Sequence, residues 1–139
     1  MTSPTKRTMK HLDSLGIPAQ IVERWQRTAF GGVRIDLCGC IDIVAFFPDR
    51  IVGIQTCSGS GGAHAERRAK ALNPPVDGRK PRKDGTVRTR KPTLQDWLSG
   101  GGEYEIWSWA KRGARGKRKT WTLRREELSS PAPVRAEGG

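Results

Sequence analysis

Three residues in the middle of the chain carry side chains suited to chemistry: Asp42, Gln55 and Cys57. Asp42 interrupts an apolar run over residues 39–47 that is rich in β-branched and aromatic side chains, a pattern typical of a buried strand. A carboxylate in such a run is costly to bury unless it pairs with a cation or binds a metal ion. The pattern therefore predicts either a metal ligand or a structural acid paired with an arginine at Asp42.

The residues that follow predict a hairpin that brings these side chains together. Pro48 and the next residue end the first run, and a second apolar run follows as an antiparallel partner strand. This pairing places Asp42 opposite Gln55, and Cys40 opposite Cys57, with all four side chains on one face. Because proline cannot adopt the positive φ of a two-residue primed turn, we expect a four-residue loop with the same pairing.

An aspartate on one strand, a polar signature on the next and a basic helix after it together resemble the PD-(D/E)XK nuclease superfamily. The resemblance covers about residues 17–72. Asp42 stands where the family has its aspartate, and Gln55-Thr56-Cys57 stands where it has Glu-X-Lys. Gln55 is neutral and Cys57 replaces the lysine, so the motif resembles a degenerate one.

The segment from Asp36 to Asp42 also resembles a stretch in small phage and prophage proteins of the same superfamily. This resemblance implies an α/β fold with a restriction-endonuclease-like core, in which helices flank a mixed central β-sheet. It also implies a DNA-acting protein, a Mg²⁺-dependent endonuclease that hydrolyses phosphodiester bonds with a degenerate active site.

The resemblance further implies roles for individual residues. Magnesium would be held by three oxygen donors, from the side chains of Asp42 and Gln55 and from the backbone carbonyl of Thr56. Cys57 lies at the lysine position, and loss of one transition-state donor costs about 10²–10³ in rate. A further catalytic carboxylate is expected from Glu23, or alternatively from Asp36. A replacement cation is expected on the helix after the motif, from Arg67, Arg68 or Lys70.

The charge of the chain indicates its partner. Lys and Arg number 26 against 14 Asp and Glu, for a net charge of +12 and a pI near 10.5. Such an excess favours nucleic acid as the partner, and the resemblance to the nuclease superfamily implies DNA. No stretch is apolar enough to span a membrane, and the first ten residues lack the core of a signal peptide. We therefore expect a cytoplasmic protein of a bacterial or phage-infected cell, and the sequence leaves a homodimer open.

Two basic stretches contain half of these cations, a loop at about residues 74–92 and the segment 111–119. Their cations are expected to contact phosphates in a salt-dependent manner. The candidate nucleic-acid-binding residues, beyond the three on the helix, are Arg79, Lys80, Arg82, Lys83, Arg88, Arg90, Lys91, Lys111, Arg112, Arg115, Lys117 and Arg118. The tryptophans at 107, 109 and 121 are either core residues, which we favour, or platforms for bases.

The 139 residues predict one domain over 1–128 with a disordered tail over 129–139. The three cysteines are expected to be free thiols rather than zinc ligands. Local patterns predict helices over 3–15, 63–72 and 93–98, and strands over 17–25, 39–47, 50–57, 103–109 and 120–125. Residues 27–32 are expected to form a loop, and His64 to lie on the polar face of its helix.

Three functions compete at this point. The first is the metal-dependent endonuclease, and the second is a nuclease-fold module that binds nucleic acid without cutting it. The third is a small phage accessory protein whose basic loops bind an acidic partner. The inventory of charge at the site distinguishes the first two, because the motif has one clear carboxylate and no lysine.

Overall fold

The protein is described from a computed structural model, which covers residues 2–59, 62–75, 80–87 and 89–129. Its elements in chain order are α1 (Pro4–Ser14), β1 (Ala19–Ile21), β2 (Arg24–Thr28), β3 (Gly31–Ile35), β4 (Ile43–Phe47), β5 (Arg50–Ser58), α2 (Ala63–Leu72), α3 (Leu94–Ser99), β6 (Glu103–Arg112) and β7 (Thr120–Glu127). The expected α/β class is confirmed at the level of a mixed sheet flanked by helices.

Five strands form the main sheet, in the order β1-β4-β5-β6-β7, and all neighbours are antiparallel except β5 and β6. The connection from β5 to β6 carries α2 and α3, as the crossover between two parallel strands requires. Among the described residues, the remaining strands, β2 and β3, pair only with each other and form a separate antiparallel ribbon.

Side chains that alternate along the central strands divide the core between the two faces of the sheet. On one face, Leu12 of α1 packs in a cluster with Ile54 and Trp107. On the other face, Ala71 of α2 and Leu94 of α3 join a cluster that includes Cys57, Tyr104 and Ile106. Because both faces are covered, the middle of β5 is buried from Val52 to Cys57.

The helices begin and end where local sequence signals predict. The side chain of Ser3 caps α1 by accepting from the backbone N–H of Lys6, and Gly16 follows the helix with a φ of 72°. Thr93 and Asp96 form a capping box at the start of α3. The predicted bounds of α2 are those observed.

The central hairpin has the predicted register, with Phe47 opposite Arg50 and Ile43 opposite Ile54. The predicted loop length is wrong, because the connection is a two-residue turn at Pro48 and Asp49. Within the described chain, Cys38 is the one residue other than glycine with a positive φ. The turn is therefore not of the primed type, and its negative φ values are compatible with proline.

The start of β4 differs from the prediction, because the strand begins at Ile43 rather than at residue 39. Cys38 and Gly39 both have positive φ, 56° and 75°, which curls the chain. The backbone N–H of Ile41 donates to the carbonyl of Leu37 at 2.9 Å and closes this turn. Cys40 therefore lies in a turn and not in the ladder opposite Cys57.

The strand predicted over residues 17–25 is also wrong, because the chain leaves the main sheet after Ile21. The backbone N–H groups of Val22 and Glu23 both donate to the carbonyl of Asp42, at 2.8 and 3.2 Å, and the chain then enters β2. Residues 27–32, predicted as a loop, are instead the end of this ribbon and its turn.

The last two strands are longer than predicted, and β6 extends into the second basic stretch through Lys111 and Arg112. Trp107 and Trp109 belong to the core, with 0% and 8% of their surface exposed, as the preferred interpretation holds. The predicted tail lies outside the described residues except for Ser129. In the described part of the chain, none of the helices has the length and apolar character needed to cross a membrane.

Candidate metal centre

Three carboxylates converge where the ribbon joins the main sheet. Oxygen atoms of Glu23, Asp36 and Asp42 all lie within 4.8 Å of one another. Glu23 directly precedes β2, Asp36 directly follows β3, and Asp42 directly precedes β4. The ends of the ribbon and the start of β4 therefore place three acids from separate segments in one cluster. Glu23, predicted on a strand, lies instead in the bend between β1 and β2.

Asp42 is held rigidly at the edge of the β4–β5 ladder. Its Oδ2 atom accepts hydrogen bonds from the backbone N–H of Thr56 at 2.9 Å and from the Thr56 hydroxyl at 3.3 Å. Its own N–H donates to the carbonyl of Ile54 at 2.9 Å. The N–H and C=O groups of one residue in a strand point to the same side, so the carbonyl of Thr56 also points to the side of β5 on which β4 and Asp42 lie.

The surroundings of Asp42 oppose its ionisation. Burial, together with the negative charges of Asp36 and Glu23, raises the pKa of the Asp42 carboxyl from 3.8 to about 7, against the hydrogen bonds from Thr56. The residue is only 6% exposed. Among the described residues no arginine pairs with Asp42, which does not support the interpretation as an ion-paired structural acid.

The cluster fits a hard divalent cation. Ligand oxygens on opposite sides of one Mg²⁺ or Ca²⁺ ion stand roughly 4–5 Å apart, which matches the spacing of the three carboxylates. Oδ1 of Asp36 is buried and has no hydrogen-bond partner in the described chain. Among the described residues, Arg34 forms an ion pair with the cluster, because its Nε lies 3.8 Å from Oε2 of Glu23. The cluster thus has an excess of negative charge and an oxygen without a partner.

Gln55 lies on the face of the sheet that α2 and α3 cover. Its amide oxygen, predicted as a metal ligand, accepts a hydrogen bond from the hydroxyl of Tyr104 at 2.7 Å. The same hydroxyl lies 3.3 Å from the carbonyl oxygen of Cys40. Tyr104 thus ties the polar signature of β5 to the turn before β4. Sequence reasoning missed this residue, because nothing in its strand pattern distinguishes it from a core aromatic.

Cys57, at the position of the family's lysine, is 4% exposed. Burial raises the pKa of its thiol, whereas the positive charges of Arg67 and Arg124 lower it. The positive charges of two guanidinium groups therefore affect the side chain that stands where the family has its lysine. Of the three cations predicted on α2, Arg67 lowers the pKa of this thiol through its charge, Arg68 pairs with Glu126 at 3.0 Å, and Lys70 is exposed. Arg124 belongs to β7, and no local signal in the sequence indicates its proximity.

His64, predicted on the polar face of α2, is buried instead. Its Nδ1 atom lies 2.8 Å from the hydroxyl of Ser108, and its Nε2 atom lies 2.7 Å from Oε1 of Glu126. A serine, a histidine and an acid are the components of a nucleophilic triad. However, Ser108 is 2% exposed, and a nucleophile must be reached by its substrate. The three residues therefore tie α2 to β6 and β7.

The basic residues of the two predicted stretches are exposed wherever the structure describes them. Arg79 and Arg88 lie outside the described residues. Arg90 is already engaged, because its guanidinium forms two hydrogen bonds with the carboxylate of Asp96, at 2.6 and 2.5 Å. Besides Arg90, the exposed candidate residues outside α2 are Lys80, Arg82, Lys83, Lys91, Lys111, Arg112, Arg115, Lys117 and Arg118.

Trp121 is the tryptophan of β7 and is 42% exposed. The guanidinium of Arg7 lies 3.7 Å from the centre of its ring, and the ammonium group of Lys111 lies 5.5 Å from it. These cations cover part of the ring that was considered as a platform for bases.

Comparison with known protein families, with curated proteins and with solved structures gives no match for this chain.

Proposed function

We propose that this chain is a DNA-acting protein of the PD-(D/E)XK kind, with a restriction-endonuclease-like core and Mg²⁺-dependent endonuclease activity. The observation that carries the proposal is the convergence of Glu23, Asp36 and Asp42 beside the β5 motif. The motif itself lacks one carboxylate, because Gln55 is neutral. Glu23 and Asp36, which lie outside the motif, restore negative charge beside Asp42.

The proposed metal ligands are the carboxylates of Glu23, Asp36 and Asp42 together with the backbone carbonyl of Thr56. Bound Mg²⁺ supplies activation of water and neutralisation of charge at the phosphate that is attacked. Thr56 fixes the orientation of Asp42 through its N–H and hydroxyl groups. Ligands that are held in fixed orientations favour Mg²⁺, because this ion demands a regular coordination geometry.

The proposed substitutes for the missing lysine are Arg67 and Arg124. The positive charges of both guanidinium groups lower the pKa of the Cys57 thiol, against the larger rise that burial causes. A guanidinium that faces the scissile phosphate stabilises charge that develops in the transition state. In this proposal Cys57 itself is a small buried side chain and not a nucleophile, because burial disfavours its thiolate.

The DNA partner is supported by the net charge of +12 and by the basic residues exposed outside the cluster. Contacts from these lysines and arginines to phosphates would position the duplex without reading its sequence. The oligomeric state, including a homodimer, is a separate question that gel filtration with light scattering answers.

The first test measures metal binding directly. Isothermal titration of Mg²⁺ or Mn²⁺ near pH 7 should show binding that releases protons, because the pKa of Asp42 is raised to about 7 and a cation displaces its proton. The enthalpy should therefore vary with the ionisation enthalpy of the buffer. Asp36→Asn and Asp42→Asn should abolish binding, and Asp49→Asn, which removes an exposed acid from the hairpin turn, should leave it intact.

The second test measures cleavage of single-stranded, duplex and branched DNA with Mg²⁺ or Mn²⁺. Wild type and the Asp49→Asn control should cut, and Asp36→Asn and Asp42→Asn should not cut but should still bind DNA. Removal of a carboxylate near the DNA phosphates relieves repulsion, so the two variants should bind DNA as tightly as wild type or more tightly. Absence of both metal binding and cleavage by wild type would refute the endonuclease.

A second candidate, a nuclease-fold module that binds DNA without cutting it, is favoured by the burial of Cys57 and the engagement of Gln55 by Tyr104. Gln55→Glu with Cys57→Lys separates the two functions, since the new carboxylate can still accept from Tyr104 and the new lysine restores a cation. If the endonuclease is correct, this double variant should cut faster than wild type. A double variant that folds, binds Mg²⁺ and cuts nothing would favour the binding module.

A further inference from the structure

The ribbon formed by β2 and β3 is an exposed arm. All five residues of β2 are exposed, and both strands pair with nothing but each other. The two-residue turn at its tip places Phe30 fully in solvent, at 100% exposure. Trp25 and Val33 are 66% and 48% exposed. Large apolar side chains grouped on a protruding element mark an interaction site.

One face of the arm combines aromatic and positive side chains. Trp25 is directly opposite Arg34, and Arg27 lies two residues further along β2, so these three side chains share a face. The indole of Trp25 lies flat over Gly32, where an added Cβ would stand 2.4 Å from the ring. Gly32 thus allows the ring to cover the ribbon while its outer side remains open.

The arm is attached to the carboxylate cluster at both of its ends. Glu23 directly precedes β2 and Asp36 directly follows β3, so the base of the arm is the cluster itself. Five residue pairs separate the base from the turn, a length of roughly 17 Å at the usual rise of a strand. A ligand bound along the arm therefore extends directly to the three acids.

We propose that the hairpin from Arg24 to Ile35 is a DNA-binding arm that enters a groove of duplex DNA. Arg27 and Arg34 contact phosphates at the edges of the groove, and Phe30 is an apolar wedge against the bases. Groove binding brings the backbone of the duplex to Glu23 and Asp36 at the base of the arm. This inference rests on the proposed function and deepens it, because it assigns the element that delivers the substrate.

The dimensions and charge of the arm fit duplex DNA. Two paired strands lie about 4.8 Å apart, and a two-stranded ribbon with its side chains fits the major groove, which is about 12 Å wide. The major groove of duplex RNA is too deep and narrow for such an element. The positive charge of Arg27 and Arg34 complements phosphate; Arg27 forms no ion pair in the described chain, and Arg34, whose side chain is 67% exposed, pairs with Glu23 through Nε at 3.8 Å.

The first test removes the wedge without a change of charge. Phe30→Ser should weaken binding of a short DNA duplex by at least about fivefold, the lower end for loss of an aromatic contact to bases. The salt dependence of binding should not change. Leu15→Ser, which removes an exposed apolar side chain outside the arm, is the matched control and should bind as wild type. Fluorescence anisotropy in EDTA measures binding without cleavage.

The second test removes charge from the arm. Arg27→Gln with Arg34→Gln should reduce the slope of log K against log salt by about 1.8, the value for two lost phosphate contacts. Lys6→Gln with Lys10→Gln removes the same charge from the exposed side of α1 and should reduce the slope by much less. None of these variants should weaken binding of duplex RNA to the same extent. Melting curves should match wild type, because the arm lies outside the main sheet.

The outcomes separate the arm from the proposed function. If wild type binds and cuts DNA while the arm variants bind like their controls, the arm is refuted and the endonuclease stands. If the arm variants weaken binding as expected but wild type neither binds metal nor cuts, the arm stands and the endonuclease is refuted. The wild type could instead be a dimer that Phe30→Ser dissociates without loss of DNA affinity. That result would assign Phe30 at the tip of the arm to contact with a second copy of the chain, and it would overturn the proposal.

Discussion

Replacement of Asp42 by asparagine should make the protein more stable at neutral pH and should remove part of its pH dependence. Asparagine has nearly the same shape, and its side-chain oxygen can still accept from the N–H of Thr56. What it removes is a charge that the site disfavours in the absence of a cation. The prediction therefore applies to the metal-free protein in EDTA.

The sign of the change in the free energy of unfolding with pH follows from the direction of the pKa shift of Asp42. The pKa of Asp42 is raised from 3.8 to about 7 in the folded protein, mainly by burial. Between these values the folded protein holds a proton that the unfolded chain has lost, so the free energy of unfolding falls as pH rises. Across this range the loss amounts to about 4 kcal/mol, since one pKa unit corresponds to about 1.4 kcal/mol.

The assay is urea denaturation of wild type and Asp42→Asn at a series of pH values from about 4 to 8. The quantity of interest is the difference in the free energy of unfolding between the two proteins, because titrating groups that do not interact with Asp42 cancel in it. This difference should be small near pH 4 and should favour Asp42→Asn by a few kcal/mol above pH 7. Asp49→Asn, which removes an exposed acid, should show no such trend.

Addition of Mn²⁺ at pH 7.5 should reverse the difference, since a cation that binds only the folded wild type stabilises it by mass action. A difference between wild type and Asp42→Asn that is independent of pH would refute the description of Asp42 as a buried, charge-crowded acid. A wild type that gains stability over the variant as pH rises would refute it as well.

Two further predictions concern the basic loop and the packing beneath the cluster. Arg82→Gln with Lys83→Gln should reduce the salt slope of DNA binding by about 1.8, whereas Arg90→Gln should leave it unchanged because that guanidinium is bonded elsewhere; anisotropy titrations at several salt concentrations measure both. Gly53→Ala should destabilise the protein by about 1–3 kcal/mol in urea, because the new Cβ would stand 2.6 Å from Cδ1 of Ile41. Ile41→Val in the same chain, which removes Cδ1 but keeps Cγ1 at 2.9 Å from the new Cβ, should recover part of that loss.

Local signals explain the elements that the sequence predicted correctly. The capping residue Ser3, the capping box at Thr93 and the glycine after α1 each act within one turn of the chain. The central hairpin is similarly local, because its register depends on a symmetric turn and on two apolar runs that flank it. For these elements the residues that make the contact are close in sequence.

The two wrong strand predictions also have physical causes. The strand predicted over 17–25 breaks because the backbone N–H groups of Val22 and Glu23 bond to the carbonyl of Asp42, about twenty residues away. The strand predicted from residue 39 starts later because Cys38 adopts a positive φ, which is uncommon for any residue with a side chain. Alternation of side chains contains no information about either event.

The amino-acid sequence by itself determined the α/β pattern, the three helices, the central hairpin and the strong positive charge, because each depends on neighbouring residues or on composition. Only the tertiary structure decided which groups meet. Glu23 and Asp36 reach Asp42 because β2 and β3 leave the sheet as a ribbon, and the charge of Arg124 lowers the pKa of Cys57 because β7 pairs beside β6. Such encounters depend on strand order and on the path of the chain between sheets, which no local periodicity encodes.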